Sequence, residues 1–197
     1  MKRLIALLLL AVLLCGCAGK DAGSTEPSDT TVEEQTQNDR FPGLGGTMPE
    51  MTFNTSDGET VTLSALLEQK KLVVLNFWFE DCKWCLREFP AMELAYHRYR
   101  DEIEIVALNP VDSVEAIQAF KEKYSLSFPM VSCPESWAVE MGVRTFPTSI
   151  FIDRDGVVCL IHSGAIPNPQ TFYSLFDTFT AEDYERKVYG SISELMA

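Results

Sequence analysis

Apolar residues recur along the chain in two patterns, one typical of buried strands and the other of amphipathic helices. The continuous apolar runs of strand length are KLVVLNFWF, EIEIVALN, FPMVS, TSIFID and VVCLIH. Helical periodicity begins near residues 83, 113, 135 and 168, and a last helical stretch is predicted over 181–189. Because strands alternate with helices and the final strands form a hairpin, the pattern predicts an α/β fold with a mixed sheet.

Turn-forming residues divide these elements. The segment MTFNTSDGETVTLSALL alternates apolar and polar residues around Asp57-Gly58, which predicts a hairpin with a two-residue turn followed by a short helix capped by Ser64. Asp112 and Glu115 stand three residues apart and resemble a capping box at the start of a helix. The tetrapeptide DRDG predicts the turn of the last hairpin.

The N-terminus has the features of an export signal over residues 1–16. Two basic residues precede an apolar run at 4–14, which is too short to span a bilayer because a spanning helix needs about 20 apolar residues. Gly16 supplies the small residue that precedes a lipid-accepting cysteine in bacterial lipoprotein signals, so Cys17 is the predicted lipidation site. The alternative is an ordinary signal peptide cleaved near Ala18. The lipoprotein interpretation predicts an extracytoplasmic protein anchored to the bacterial cell membrane by a lipid on Cys17.

Residues 17–40 are predicted to form a disordered acidic tether before a domain at 41–197. From 18 to 40 the chain carries six acidic and two basic residues and only one large apolar residue, which is too few to offset the entropy of folding. The 197-residue chain has a formal net charge of −13, and loss of Lys2 and Arg3 with the signal takes it to −15. So acidic a surface repels phosphate backbones, which argues against nucleic acid as a partner.

The segment NFWFEDCKWCLREFP places two cysteines, Cys82 and Cys85, at the junction of an apolar strand and a helix. A cysteine at a helix N-terminus is stabilised as a thiolate by the free N–H groups and their partial positive charge. Cys85 follows one helical turn deeper on the same face, which suits one attacking and one resolving sulfur. Lys83 should stabilise the thiolate further, and a nearby Asp81 carboxylate should oppose it.

The residues leave two other interpretations of the cysteine pair open. A zinc site needs four ligands, and no second CxxC or HxxxH pattern supplies them. The remaining candidate ligands are Cys133, Cys159, His97 and His162. A purely structural disulfide across so short a loop would stabilise little, since the closure entropy is small. Cys133 and Cys159 are expected to be buried small side chains, with a second disulfide between them as the alternative.

The segments LVVLNFWFEDCKWCLREFP and GVRTFPTSIFIDRDG together resemble extracytoplasmic thiol-disulfide oxidoreductases of the TlpA/ResA type. The similarity covers roughly residues 45–180. It implies a thioredoxin fold, with a mixed central sheet flanked by helices, an N-terminal β-hairpin, and a helix and strand inserted between residues 113 and 131. The resemblance implies no cofactor and no bound metal.

The same resemblance implies roles for individual residues. Cys82 and Cys85 correspond to the redox pair, Glu88 to an acidic position beside it, and Pro147 to the cis-proline that faces the sulfurs. A half-buried Glu88 could carry protons, and the alternative is a solvated helix residue. The alternative for Pro147 is an ordinary loop proline. A cis bond at Phe146-Pro147 would leave the backbone open to pair with a substrate strand. Independently of the resemblance, Asn76 in the apolar strand is expected to be a hydrogen-bonded core residue.

The motif also departs from the family pattern beside and inside the cysteine pair. Asp81 stands where the family usually has Trp, and Lys83-Trp84 fills a dipeptide that more often contains proline. Asp81, Lys83 and Trp84 are therefore expected to tune the redox potential and the choice of partner.

The expected function is reduction of disulfides in exported proteins, with electrons from a membrane donor. A peroxiredoxin-like peroxidase is one alternative, although Phe79 occupies the threonine position of the usual Thr-x-x-Cys. The other alternative is a thioredoxin-like copper chaperone. Such a protein would need a wider cysteine spacing and a metal-binding histidine in the later hairpin, for which His162 is the candidate.

Overall fold

The computed structural model describes residues 41–197, so the predicted signal (1–16), the tether (17–40) and Cys17 lie outside the described residues. The strands are β1 (Thr52–Asn54), β2 (Thr60–Thr62), β3 (Leu72–Phe77), β4 (Ile103–Asn109), β5 (Met130–Ser132), β6 (Thr148–Asp153) and β7 (Val158–Ser163). The helices are α1 (Leu63–Gln69), α2 (Lys83–Tyr99), α3 (Val114–Tyr124), α4 (Glu135–Glu140), α5 (Pro169–Thr180) and α6 (Ile192–Leu195). No helix within the described range has the length and apolar character needed to cross a membrane.

The central sheet has five strands in the order β5-β4-β3-β6-β7. Strands β3, β4 and β5 are parallel, whereas β6 runs antiparallel to both β3 and β7. The hairpin β1–β2 forms a separate two-stranded sheet. Helix α3 and strand β5 are the predicted insertion. The mixed α/β sheet, the hairpin and the inserted helix and strand confirm the predicted fold.

Strand β3 lies at the centre of this sheet, and all six of its residues are buried. Its side chains alternate between two apolar clusters, as the pleat of a strand requires. Val74 packs in the cluster that contains the inward faces of α2, α3 and α5. Leu75 and Phe77 pack in the other cluster, with α1, α4 and the β1–β2 hairpin. Both faces of the sheet are therefore covered, which explains why β3 is apolar throughout.

Local hydrogen bonds correct three details of the sequence prediction. The hairpin closes through a longer loop, because Thr55 N–H donates to the Glu59 carbonyl, and Gly58 adopts φ 90° within it. Helix α1 is capped by Thr62, whose hydroxyl accepts from the Ala65 N–H, rather than by Ser64.

Helix α3 is likewise capped by the residue after the predicted one. The Ser113 hydroxyl accepts from the Ala116 N–H, so Asp112 is not the cap. The Asp112 carboxylate is free to bind elsewhere, and it does so beside the cysteine pair.

The predicted helix over 181–189 is wrong. Tyr189 instead pairs with Leu160 along the outer edge of β7, and its N–H donates to the Cys159 carbonyl. Arg186 Nε donates to the buried Asp153 carboxylate at 2.7 Å. An edge strand has unpaired backbone groups, and Tyr189 satisfies one of them. Helical periodicity in the sequence was outweighed by these long-range contacts.

Candidate active site

The cysteine pair lies where the chain leaves β3 and enters α2. Cys82 is the N-cap residue of α2, and its sulfur accepts a hydrogen bond from the Cys85 N–H at 3.1 Å. A helix leaves its first N–H groups without intrahelical partners, so a sulfur at the N-cap satisfies one of them. The sulfur atoms of Cys82 and Cys85 are bonded at 2.02 Å.

The two cysteines differ in solvent exposure, and Cys82 is the more exposed of the two, as predicted. Cys82 has 5% of its surface exposed and Cys85 none. Three side chains around Cys82 are exposed, namely those of Asp81, Lys83 and Trp84. A reactant from solvent can therefore reach the pair only from the Cys82 side.

The loop before Cys82 is fixed by a residue that the sequence analysis assigned elsewhere. Asp112 Oδ2 accepts from the Glu80 N–H at 2.7 Å and from Asn109 Nδ2 at 2.8 Å. Asn109 is fully buried at the end of β4, and its Oδ1 accepts from the N–H of Val111 and of Asp112. Two successive loops at the same edge of the sheet are thereby joined. The sequence signal for this was the polar end of an apolar strand, but nothing in it identified Glu80 as the partner.

Glu88 is a fully buried carboxylate one turn beyond Cys85 on α2. Its Oε2 accepts from Asn76 Nδ2 at 3.3 Å, and its Oε1 accepts from the Ile166 N–H at 3.2 Å. Asn76 also donates to Ser149 Oγ at 2.9 Å, which confirms it as a hydrogen-bonded core residue. Burial raises the pKa of Glu88 to about 7, against the lowering effect of its two hydrogen bonds.

The loop before β6 lies close to the loop before α2. The Phe146-Pro147 peptide bond is cis, as predicted. The Phe146 ring packs edge-on against Phe79 with centroids 5.3 Å apart, and the Pro147 carbonyl accepts from the Gly164 N–H. Among residues 41–197, neither the N–H nor the carbonyl of Phe146 has a hydrogen-bond partner.

An open groove of about 800 Å³ runs between the start of α2, the loop before β6 and the loop after β7. It is mainly apolar. Its lining includes Trp84, Leu86, Arg87, Phe146 and Pro167. We call it the α2 groove. It places an apolar surface next to the reachable side of the cysteine pair.

The other two cysteines stand apart from this chemistry. Cys133 and Cys159 are buried and are not bonded to each other. Burial raises the pKa of Cys133 to about 12 and that of Cys159 further. Both therefore stay protonated at neutral pH and act as small apolar core residues, as expected.

The site thus combines one reachable sulfur, one shielded sulfur and a buried carboxyl group that titrates near neutral pH. That set can carry out thiol-disulfide exchange, which needs an attacking thiolate, a resolving thiol and a route for protons.

Comparison with known proteins gives a consistent result. Residues 44–161 match the AhpC/TSA family. The thioredoxin-like protein YneN of Bacillus subtilis is 34% identical over 126 residues, which cover 62% of this chain and 72% of YneN. The thiol-disulfide oxidoreductase ResA of Bacillus thuringiensis subsp. konkukian is 30% identical over 159 residues, or 80% of this chain and 86% of ResA.

Solved structures support the fold. A thiol:disulfide interchange protein from a Bacteroides species superposes with a TM-score of 0.59 at 20% identity, covering 71% of this chain and 93% of that protein. At this identity the likeness establishes the thioredoxin fold alone. The family match and the two relatives carry the assignment further: the chain belongs to the AhpC/TSA family, among the thiol-disulfide oxidoreductases of the ResA type.

Proposed function

We propose that this protein is a membrane-anchored, extracytoplasmic oxidoreductase that reduces disulfides in exported proteins through Cys82 and Cys85. The observation that carries the proposal is the asymmetry of the pair. Cys82 lies at a helix N-terminus on the accessible side, and Cys85 lies behind it with no exposed surface. An attacking sulfur must be reachable, whereas a resolving sulfur must be protected until a mixed disulfide has formed.

The reaction follows from these positions. In the reduced protein, the Cys82 thiolate attacks one sulfur of the client disulfide; a Cys82–client bond forms, and the other client sulfur leaves as a thiolate. The Cys85 thiolate then attacks the Cys82 sulfur and displaces the first client sulfur. The client gains two electrons and takes up two protons, while Cys82 and Cys85 lose two electrons and become a disulfide. A membrane donor must then return two electrons to the pair.

Two further residues are proposed to serve this exchange. Glu88, one turn beyond Cys85, would accept the proton that Cys85 loses before it attacks, because a carboxyl group with a pKa near the working pH exchanges protons efficiently. Pro147 would hold Phe146 so that its unpaired backbone groups can bond to an extended client. Asp81, Lys83 and Trp84 surround the attacking sulfur and would set its reactivity and its choice of client.

The location of the protein is proposed from the sequence. The basic start, the short apolar run and Gly16-Cys17 support export followed by lipidation of Cys17, and the acidic segment 17–40 would hold the domain away from the bilayer. An oxidising compartment outside the cytoplasm also contains the disulfides that such an enzyme would reduce.

The first prediction concerns the roles of the two sulfurs. Cys85→Ala should accumulate mixed disulfides with clients, because nothing remains to resolve them, whereas Cys82→Ala should form none. Non-reducing electrophoresis of alkylated membrane extracts measures this. Cys133→Ala is the matched control, since it removes a buried cysteine outside the pair. Equal trapping by Cys82→Ala would refute the assignment.

The second prediction concerns direction. The reductase proposal requires a redox potential more negative than about −180 mV, the level of protein disulfide isomerase. We expect a value closer to that of thioredoxin, about −270 mV. Equilibrating the detergent-solubilised protein with glutathione or dithiothreitol buffers and measuring the oxidised fraction gives the value. A more oxidising potential would indicate an oxidase or an isomerase instead.

The third prediction concerns Glu88. Folding raises its pKa from 4.5 to about 7, so the folded state binds this proton more tightly than the unfolded state does. The free energy of unfolding should therefore fall as the pH rises from about 4.5 to about 7, by up to about 3 kcal/mol, and then level off.

Glu88→Gln should remove this pH dependence and also the inflection near pH 7 in the rate at which Cys85 resolves a mixed disulfide. Urea denaturation across pH and stopped-flow kinetics are the measurements. Glu140→Gln, at an exposed carboxylate, serves as control. An unchanged inflection in Glu88→Gln would exclude Glu88 as the proton acceptor.

The fourth prediction concerns the anchor. Cys17→Ala should move the protein from the membrane fraction to the soluble extracytoplasmic fraction, because the acylated residue is lost. Intact-mass analysis of the wild-type protein should show a lipid-modified N-terminal cysteine. An unmodified mature N-terminus would rule out the lipoprotein proposal.

A further inference from the structure

One wall of the mainly apolar α2 groove carries a charged side chain, that of Arg87. Trp84, Arg87 and Pro90 lie along one face of α2, at spacings of three residues, and all three are exposed. The Arg87 guanidinium carbon lies 4.6 Å from the centre of the Trp84 ring, within the range of a cation–π contact. The contact holds both side chains at the edge of the groove. Trp84 nevertheless keeps 58% of its surface exposed, so most of the ring is open to a partner.

Arg87 has no carboxylate within salt-bridge distance in the described part of the chain. This matters because the protein has 29 acidic and only 16 basic residues. Several of its other cations are neutralised; Lys71, Lys121 and Arg186, for example, each contact a carboxylate. An unpaired guanidinium beside the redox pair of so acidic a protein provides local charge complementarity for a carboxylate on a partner.

Two neighbouring positions extend the same charge. Lys83, next to Cys82, and Arg144, next to the Thr145 that lines the groove, are exposed and also lack carboxylate partners among residues 41–197. Two opposing carboxylates, those of Glu80 and Asp81, stand just before Cys82 and are exposed as well. Cations thus stand at the start of α2 and at the loop before β6, with the apolar lining between them.

Backbone groups at the groove suit an extended peptide. Phe146, which lines the groove, has a free N–H and a free carbonyl. Pro90 lies inside α2 and has no N–H to donate to the Leu86 carbonyl, and both residues line the groove. A client strand bonded to Phe146 would run along the apolar lining and bring its side chains past Trp84 and Arg87.

We propose that the α2 groove selects clients in which the reactive cysteine is next to an aromatic or large aliphatic residue and near an acidic residue. The apolar side chain packs on Trp84 and Phe146, and the carboxylate pairs with Arg87. This inference rests on the proposed exchange reaction and names the class of client that the same site prefers. Trp84 and Arg87 are specificity-determining residues in this scheme.

Short synthetic peptide disulfides test the proposal with the full-length reduced protein in detergent. Each peptide carries Phe next to its cysteine and Asp, Asn or Lys at one of the other positions, and glutathione disulfide serves as a featureless substrate. The readout is the second-order rate constant for exchange, from chromatographic quantification of the released thiol in acid-quenched samples. The wild-type protein should prefer the best Asp peptide to its Lys counterpart by about five-fold at low salt, as expected for an exposed ion pair. Added salt should reduce that preference.

Variants assign the preference to Arg87. Arg87→Gln should bring the Asp-to-Lys ratio close to one, and Arg87→Glu should invert it. Arg98→Gln is the matched control, because Arg98 is an exposed cation on the same helix that stacks on Tyr173 at 4.7 Å and lies outside the groove. It should retain the wild-type ratio.

A second pair of variants tests Trp84. Trp84→Ala should lower the advantage of a Phe peptide over a Gly peptide by about five-fold, the scale of one aromatic contact. Leu94→Ala, which removes an exposed apolar side chain elsewhere on α2, should leave that advantage in place.

The outcomes separate the two proposals. The client preference is overturned if the wild-type protein exchanges with Asp and Lys peptides equally, if Arg87→Gln keeps the preference, or if Arg98→Gln loses it as fully. In each of these cases exchange itself still occurs. If the wild-type protein reacts with no peptide disulfide and not with glutathione disulfide, the proposed exchange function fails instead.

Discussion

The position of β3 in the middle of the sheet is the constraint on which the active site depends. β3 is paired on both edges, parallel to β4 and antiparallel to β6, and it is covered on both faces. A chain leaving such a strand can only emerge at its end, where α2 then begins. The free N–H groups at the start of α2 therefore lie at the edge of the sheet, and Cys82 occupies the N-cap. The accessibility of one sulfur and the burial of the other follow from this single strand-to-helix junction.

The buried Glu88 carboxyl group is held by the same elements. Its hydrogen-bond donors come from β3, through Asn76, and from the loop that carries Ile166 and continues into the wall of the α2 groove. Two donors do not offset the loss of hydration, so the neutral form is favoured up to about pH 7. The side-chain amide oxygen of Asn76, Oδ1, is buried without a partner in the described part of the chain. A change in the protonation of Glu88, which lies on α2, therefore alters its hydrogen bonds to β3 and to the loop that lines the α2 groove.

Much of this arrangement could be predicted from the sequence, because it depends on local patterns. Continuous apolar runs identified the buried strands, and the CxxC at a strand-to-helix junction identified the pair. What could not be predicted depends on contacts distant in sequence. Asp112 looked like a helix cap, but its carboxylate binds the Glu80 N–H across 32 positions. The segment 181–189 has helical periodicity, yet it is not helical, and the Tyr189 N–H at its end bonds to the Cys159 carbonyl of β7. The groove around Arg87 required three separate segments to be placed together.

Under the proposed function, the electrostatics of the site would link the redox potential of the pair to pH. The helix terminus acts on Cys82 from within a largely buried environment and is weakly screened, whereas Lys83 and Asp81 are exposed and their charges are reduced by water and salt. The opposing charge that escapes such screening is that of Glu88. Below about pH 7 Glu88 is neutral, and the helix terminus stabilises the thiolate form unopposed, which favours the reduced pair and makes it a stronger oxidant. Above that pH the buried carboxylate opposes the thiolate and makes the pair a stronger reductant. Under the proposed function, the buried Glu88 carboxyl group would therefore make the pair more reducing as the pH rises through about 7.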